Sequence, residues 1–475
     1  MKTILRLSFV AAAYLFAPAC SFAGVQTSQL WTSMLTGGSA GLGVIYVVNS
    51  DGNGGTVAYA FNGVNGANPS GNMVQGQGNI LYGTTTAGGA YNHGVLFSLN
   101  TNNSNNSITV LHDFNASDGA VPRDLIMSAD GKIYGTTQAG GSHTSTTATE
   151  GCGTLYTYDT HSNTFTKLID FNGTVNGENP QGLIQGSNGL IYGMARQGGA
   201  QNLGVIYSFN PAGRIFNLLH TFSSADGALP TSCHLTQAGS KWFGMTTWGG
   251  NYNMGVIFSL DMQNVTFTKL MDFNGSNGAY PTGTLTQASN GLLYGVTSYG
   301  GPDNNGTMFS FNASNAAFVK LHDFDGTDGA DPYGALTQAT DGNLYGITTD
   351  GGSNGTGVIY SYDITTNLFA VVQDCDANAN GASPMSTLLE LQNTTGINTL
   401  TEQKVSLYPN PVAGSLLINT GNFKPSVITI TDLNGRQVLQ AEYANTIDVS
   451  TLPAGAYIVE MHNSTSTGRA RFLKM

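Results

Sequence analysis

The chain has 475 residues, of which 64 are glycine and 9% are charged, and its formal net charge is −12. This length exceeds that of one ordinary compact domain, and the 10% aromatic residues and 14 prolines exclude collagen-like and intrinsically disordered chains. An acidic surface repels phosphate backbones and anionic lipids, so we expect no nucleic-acid binding and no peripheral membrane binding.

The first 23 residues have the pattern of a secretory signal peptide. Lys2 and Arg6 precede an apolar run over residues 7–19, and small residues suited to cleavage follow at Ser21 and Ala23. The apolar run is too short to span a bilayer. The sequence therefore predicts export with a signal peptide at 1–23, and a lipoprotein anchored at Cys20 is the weaker alternative.

A unit of about 51 residues recurs along most of the chain. Each unit has a glycine followed by two residues and an aromatic, a single proline, and a Leu-Tyr-Gly-like segment that precedes a Gly-Gly pair. The interval from Phe97 to Tyr156 is longer because a polar insertion lies around residues 142–152. The aromatic positions are Tyr46, Phe97, Tyr156, Tyr207, Phe258, Phe309 and Tyr360, and the prolines are Pro69, Pro122, Pro180, Pro230, Pro281, Pro332 and Pro384.

Within each unit, four short alternating strands are separated by Gly/Asn turns, which is typical of a β-propeller blade. The last unit lacks its Leu-Tyr-Gly strand, and residues 29–36 around Trp31 supply a matching segment. We therefore predict an all-β fold, with a closed seven-bladed propeller of four-stranded blades over residues 24–391. The glycine after each aromatic of the Leu-Tyr-Gly segments is expected either where blades crowd near the axis or at a bulge or positive φ.

The repeat also resembles a known family. The segments Asn343-Leu-Tyr-Gly-Ile-Thr-Thr-Asp-Gly-Gly and Gly357-Val-Ile-Tyr-Ser-Tyr-Asp resemble the GloVer-type tandem repeat of bacterial exported proteins, over residues 29–391. The resemblance implies a propeller-like extracellular module without an agreed activity.

The region after residue 391 has a different pattern. Residues 392–403 are polar and lie outside the period, which indicates a linker, and residues 404–475 have short strands that predict a small β-sandwich. This tail resembles the type A C-terminal sorting domain of the type IX secretion system, on the residues Pro409, Asn410, Pro411, Gly455, Tyr457 and Lys474. The resemblance implies passage through the periplasm, the outer-membrane translocon as partner, and a secreted or cell-surface location.

Candidate ligand-binding residues lie beside the Gly-Gly pairs. Arg196, Trp248, Tyr299 and Asp350 precede these pairs, and Tyr252 and Asp303 follow them. Exposed aromatic rings beside short polar groups suit sugar faces and hydroxyls. The alternative is that these are loop residues whose type is free to vary.

The recurring aspartates and histidines have structural explanations as well. Asp323, Asp325 and Asp328 form the most acidic segment and are weak calcium candidates, although aspartates at this position more often satisfy backbone donors of a turn. His112, His220 and His322 share a repeat position with Ile169 and Met271, which indicates a packing site. No catalytic motif is present, and we expect no cofactor.

Two functions are consistent with the sequence. The first is a monomeric, non-enzymatic binding module for glycans or other polymers. The second is a polysaccharide-active enzyme, which would need two carboxylates, or a carboxylate and a base, facing the central channel. The uniform units favour the binding module, because a catalytic function usually adds unequal loops.

Overall fold

The computed structural model of the chain describes residues 28–101, 106–145, 150–231, 234–391, 401–403, 405–420, 427–432, 437–442, 444–462 and 466–475. Every regular element in these ranges is a β-strand, so the all-β prediction is confirmed. No helix of the described residues has the length and hydropathy that crossing a membrane requires. The predicted signal peptide and Cys20 lie outside the described residues. The chain divides after Leu391 into two compact units.

Strands of the first unit alternate with Gly- and Asn-containing turns. In chain order they are β1 Gln29–Thr36, β2 Val44–Asn49, β3 Thr56–Ala60, β4 Ala67–Pro69, β5 Val74–Gln75, β6 Ile80–Ala87, β7 Val95–Asn100, β8 Ile108–Asp113, β9 Ala120–Met127, β10 Lys132–Ala139, β11 Thr154–Asp159, β12 Thr164–Asp170, β13 Glu178–Gln185, β14 Ile191–Gln197 and β15 Val205–Asn210. They continue with β16 Ile215–Thr221, β17 Thr236–Ala238, β18 Lys241–Thr246, β19 Val256–Asp261, β20 Thr266–Asp272, β21 Thr286–Gln287, β22 Leu293–Thr297, β23 Thr307–Phe311, β24 Phe318–Asp323, β25 Ala330–Gln338, β26 Leu344–Asp350, β27 Val358–Asp363, β28 Leu368–Asp374, β29 Ala382–Pro384 and β30 Leu389–Leu391.

The described strands of the first unit form seven antiparallel sheets. Sheet 1 contains β1–β3 with β29 and β30, sheet 2 contains β4–β8, and sheets 3 to 7 contain β9–β12, β13–β16, β17–β20, β21–β24 and β25–β28. In sheet 1 the first strand lies between β2 and the two short strands β29 and β30, with Gln29 opposite Leu391. The first and last strands of the repeat region are therefore neighbours in one sheet.

Backbone hydrogen bonds join neighbouring sheets at a position that recurs in every unit. The residue before the recurring proline donates its N–H to a loop carbonyl of the preceding sheet, at 2.7–3.0 Å. The pairs are Asn68 with Leu42, Val121 with His93, Asn179 with Cys152, Leu229 with Leu203, Tyr280 with Met254, Asp331 with Asn305, and Ser383 with Thr356. Each of these seven donors has a left-handed backbone, with φ between 50° and 56°. The proline that follows packs on the glycine of the preceding sheet, as Pro281 does on Gly255, where an added Cβ would lie 2.6 Å from Cδ of the proline.

The core of the first unit lies between neighbouring sheets. Apolar residues of adjacent sheets form shared buried clusters, such as Phe243 and Ile257 of sheet 5 with Phe309 and Phe311 of sheet 6. A corresponding cluster joins Val44 of sheet 1 to Ile347 of sheet 7. The alternating Val, Ile and aromatic residues of the middle strands supply these two-sided contacts.

The second unit contains two further sheets. Its strands are β31 Thr401–Gln403, β32 Ser406–Tyr408, β33 Ser415–Asn419, β34 Val427–Asp432, β35 Gln437–Glu442, β36 Thr446–Asp448, β37 Gly455–His462 and β38 Ser466–Lys474. One sheet has the order β31-β38-β37-β34-β35, and the other has the order β32-β33-β36. Residues 401–403, which the sequence assigns to the linker, instead form β31 and pair in parallel with β38. A buried core between the sheets includes Leu416, Ile428, Val459 and Phe472.

Candidate functional site

An open cleft lies where the loops of sheets 5, 6 and 7 meet. Its volume is about 330 Å³, and four aromatic side chains dominate its lining: Trp248 from sheet 5, Tyr280 and Tyr299 from sheet 6, and Tyr333 from sheet 7. The ring centroids of Trp248 and Tyr280 are 4.4 Å apart, and those of Tyr280 and Tyr299 are 5.9 Å apart at 83°. The rings of Trp248, Tyr280 and Tyr299 are therefore in contact with one another in sequence, with Tyr280 in the middle.

Backbone pairing holds two of these aromatic residues in place. Trp248 and Ala228 exchange N–H···O bonds of 2.7 and 2.9 Å, and Tyr299 and Ala279 exchange equivalent bonds of 2.7 and 3.0 Å. The side chains nevertheless remain accessible, because 37% of the surface of Trp248 and 45% of that of Tyr299 is exposed. Accessible rings on fixed backbones suit a ligand that stacks.

Hydroxyl groups line the cleft between the rings. The hydroxyls of Thr282 and Ser298 lie 2.6 Å apart, and both lie within 3.4 Å of the carbonyl oxygen of Pro332. The hydroxyl of Thr247 donates to the carbonyl oxygen of Pro281 at 3.1 Å. These contacts join neighbouring sheets and fix the polar part of the lining.

Asp331 is the one ionisable acid among the residues that line the cleft. It has a left-handed backbone with φ of 53°, and its N–H bonds to sheet 6. Burial raises the pKa of Asp331, and the charge of Asp350 raises it further, while hydrogen bonds from Ser298 and Thr349 lower it. The carboxylate therefore lies in a site where its charge is incompletely compensated.

The structure brings together some of the sequence-predicted residues and separates the others. Trp248 and Tyr299 both line the cleft. Asp350 is not part of the lining, but its charge acts on Asp331, which is. Tyr252 and Asp303 are exposed on the loops after the Gly-Gly pairs and are not part of the lining. Arg196 lies at the junction of sheets 4 and 5, where its Nε donates to Oγ1 of Thr231 at 3.3 Å.

Tyr280, Asp331 and Tyr333 are site residues that sequence reasoning missed. They lie directly beside the recurring prolines Pro281 and Pro332, and Asp331 and Tyr333 belong to strand β25. Their fixed position next to a proline was the available signal, but the residue types at this position differ from unit to unit.

The carboxylates proposed for calcium bind protein donors. Asp323 pairs with Lys320 Nζ at 2.8 Å, Asp328 contacts His322 Nε2 at 2.8 Å, and Asp325 accepts hydrogen bonds from the backbone and hydroxyl of Thr327. Among the described residues, no group of three or more His, Cys, Asp or Glu side chains could hold a metal ion.

The three histidines connect outer strands of neighbouring sheets. His112, His220 and His322 stack on Phe165, Phe267 and Phe369 at centroid distances of 3.6–3.9 Å, with rings parallel to within 4°. The Nε2 atom of each lies within 3.2 Å of an aspartate oxygen, on Asp118, Asp226 and Asp328 respectively. This geometry is that of a packing site.

A small cavity of about 20 Å³ is lined by residues of several sheets, among them Asn72, Asp124 and Thr387. The Asp124 carboxylate accepts from Asn72 Nδ2 at 3.2 Å and from the Gly182 N–H at 2.8 Å. Such a cavity has room for about one water molecule. The aromatic cleft is larger than this cavity.

Sorting-motif residues of the second unit are closely integrated with its sheets. The side chain of Asn410 accepts from the Leu473 N–H at 2.8 Å and donates to the Arg471 carbonyl at 3.1 Å, while Pro409 and Pro411 on either side are exposed. Tyr457 is buried, stacks on Phe472, and donates its hydroxyl hydrogen to the Pro453 carbonyl at 2.9 Å.

The C-terminal end of this unit is fixed in the same way. Gly455 pairs with Lys474, and the Lys474 side chain is only 7% exposed, with Nζ 2.6 Å from the Met475 carbonyl. The predicted motif residues at both ends of the unit therefore pack around β38.

Comparison with solved structures shows the fold of this chain. A periplasmic gluconolactonase from Pseudomonas aeruginosa is 13% identical, with 77% of this chain and 99% of that chain covered and a TM-score of 0.52. A candidate 6-phosphogluconolactonase from Bacteroides uniformis is 14% identical, with 77% of this chain and 100% of that chain covered and a TM-score of 0.52. A candidate 6-phosphogluconolactonase from Bacteroides fragilis is 13% identical, with 78% of this chain and 99% of that chain covered and a TM-score of 0.53. At this identity the likeness concerns the fold alone. No curated protein sequence matches the chain.

Family profiles match nearly the whole chain. The Gloeobacter/Verrucomicrobia repeat matches residues 18–245 and 232–406, and the secretion system C-terminal sorting domain matches residues 406–474. The second match confirms the predicted type IX sorting domain and indicates export to the cell surface or the extracellular space. The chain therefore belongs to the Gloeobacter/Verrucomicrobia repeat family and ends in a secretion system C-terminal sorting domain.

Proposed function

We propose that the seven sheets of the first unit are the blades of one closed propeller. The seven inter-sheet hydrogen bonds support this arrangement, because they connect each sheet to the next and sheet 7 to sheet 1. The apolar cluster shared by sheets 1 and 7 supports it as well. In a closed arrangement each sheet is covered by a neighbour on both faces, so no further layer is needed to bury them.

We propose that the exported propeller is a binding module for glycans and that the aromatic cleft is its binding site. The observation that carries the proposal is the joint presence of exposed aromatic faces and a carboxylate in one open cleft. Aromatic faces stack on the C–H surfaces of sugar rings, and the carboxylate accepts hydrogen bonds from sugar hydroxyls.

The composition of the cleft favours binding over hydrolysis. Glycoside hydrolysis usually requires two carboxyl groups on opposite sides of the scissile bond. The cleft lining contributes Asp331, and the lining of the small cavity contributes Asp124, each without a second acid in the same lining. Measurement of new reducing ends after incubation with polysaccharides would detect the alternative enzymatic function.

Binding of the mature chain to a panel of oligosaccharides, followed by calorimetry on those that bind, tests the proposal. We expect Trp248→Ala and Tyr299→Ala each to weaken binding by at least about tenfold, which corresponds to ~1.4 kcal/mol. The matched control is Tyr252→Ala, because Tyr252 is a 59% exposed aromatic residue outside the lining. If all three variants bound the oligosaccharides with the same affinity, the cleft would not be the binding site.

A further inference from the structure

The charge distribution around the cleft indicates which saccharides it takes. Its lining contains an acidic side chain, Asp331, and no lysine, arginine or histidine. Asp350 adds a second negative charge that acts on Asp331. The net charge of the whole chain is negative as well, with 28 acidic residues against 16 basic ones. An anionic sugar would therefore be repelled from this cleft.

A lining that combines aromatic rings with a carboxylate favours cationic ligands. The faces of Trp and Tyr attract cations through the quadrupole of the ring, and a carboxylate forms its strongest hydrogen bonds with a charged donor. Trp248 and Tyr299 present accessible rings, and Asp331 lies in the same lining. An ammonium group placed here would contact both kinds of partner.

The environment of Asp331 gives a second argument. Burial disfavours its charged form, and the nearby charge of Asp350 disfavours it further. A buried charge without an opposite partner is costly, and a cationic ligand would offset this cost. Neutral sugars can donate hydroxyl hydrogen bonds to this carboxylate, but they carry no opposite charge.

Building on the proposed glycan-binding function, we infer that the cleft between sheets 5, 6 and 7 selects saccharides that carry a free, protonated amino group, such as oligomers of glucosamine. The sugar ring stacks on Trp248 and Tyr299, and the ammonium group pairs with Asp331. Uronic acid oligomers are excluded by charge, and N-acetylated oligomers lack the cation.

Calorimetry with the mature chain tests this inference, using glucosamine, N-acetylglucosamine and galacturonic acid oligomers of one length near neutral pH, so that the raised pKa of Asp331 still leaves its carboxylate ionised. We expect the glucosamine oligomer to bind at least about tenfold more tightly than the N-acetylated one. Asp331→Asn should remove this preference, and the variant should fold because Asn tolerates a left-handed backbone. Asp303→Asn is the control, since it removes one negative charge from an exposed loop position outside the lining.

The outcomes separate the inference from the function on which it depends. Equal affinity for the glucosamine and N-acetylglucosamine oligomers, or a preference that survives Asp331→Asn, would overturn amine selectivity and leave glycan binding intact. A similar loss in Asp331→Asn and Asp303→Asn would also overturn it, because the effect would then come from net charge. If no oligosaccharide binds at all, the proposed function itself is wrong.

Discussion

The ring of Phe309 lies over the backbone of Gly295, the residue directly opposite it on the neighbouring strand. A Cβ added at Gly295 would come 2.6 Å from Cζ of Phe309 and 3.0 Å from Cδ2 of Leu285. Five other glycines at this repeat position are likewise covered by a cross-strand aromatic ring, and none of the six has a positive φ. The crowding therefore comes from the same sheet and not from a neighbouring one, and the expectation of a positive φ at this glycine is wrong. Register shifts do lie beside this position in several sheets, as between Gly135 and Thr137.

Gly295→Val should lower the melting temperature, because the side chain would displace a fully buried ring. Overpacking of this kind costs about 1–3 kcal/mol. Thermal denaturation followed by circular dichroism measures the effect, and the double variant Gly295→Val/Phe309→Ala should be less destabilised than the sum of the single changes. A Gly295→Val protein as stable as the parent would contradict the steric explanation.

Sheet 1 provides a natural contrast. There Thr32 stands opposite Tyr46 in place of glycine, and it is fully buried. The ring of Tyr46 is turned away, and its hydroxyl lies next to Gly55. The aromatic ring thus covers the paired residue only where that residue is glycine.

Val121→Asn should increase stability. Val121 has φ of 56°, a conformation that is unfavourable for a β-branched side chain, while asparagine occupies the equivalent positions Asn68 and Asn179 with φ of 54° and 56°. Relief of this strain is worth about 1–2 kcal/mol. Urea denaturation measures the gain, and Asn179→Val should show the opposite sign. Equal stability of Val121→Asn and the parent would show that the surroundings already relieve the strain.

His220→Met should make the protein less sensitive to acid. Burial lowers the pKa of His220 below its ordinary value of 6.5, with Asp226 partly opposing the shift. The unfolded chain therefore binds the proton more readily, so the stability due to neutral His220 is lost as the pH falls below 6.5. Methionine is a suitable replacement because Met271 occupies this place in the next unit.

The measurement for this variant is the melting temperature as a function of pH. The parent should lose more stability than His220→Met across the interval just below the ordinary histidine pKa, and both should respond alike at alkaline pH. Parallel curves over the whole range would show that His220 does not contribute to acid sensitivity.

Removal of residues 392–475 should leave the first unit folded and prevent its appearance outside the cell. The chain divides into two compact units at this point, and the sorting domain match lies entirely within the second. Cell fractionation with an antibody to the first unit should find the truncated protein in the periplasm. Surface display at the level of the full chain would contradict this prediction.

The repeated fold could be predicted from the sequence because each residue of the repeat signature is required by a particular packing contact. The glycine at 255 is needed because Pro281 of the next sheet packs on it, and the alternating Val-Ile-Phe segment that follows is buried from both sides. Such constraints recur in every unit, so a single sequence displays them repeatedly.

The inner part of the cleft could not be predicted in the same way. A residue before proline is normally extended, yet Tyr280 and Asp331 are left-handed because their N–H groups bond to the preceding sheet. That bond depends on the packing of two units and involves only the backbone, so the residue type at this position differs from unit to unit. Trp248 and Tyr299 were accessible to prediction because large aromatic rings beside a Gly-Gly pair have no local structural need.

The pairing of Gln29 with Leu391 also determines when the protein can finish folding. Because β1 lies at the start and β30 at the end of the repeat region, one edge of β1 has no partner until the last unit is available to fold. Pairings between residues so distant in sequence form slowly, and until then the unpaired edge of β1 can pair with strands of other chains. An internal deletion of β29 and β30 would therefore leave β1, at the other end of the repeat region, with an unpaired edge.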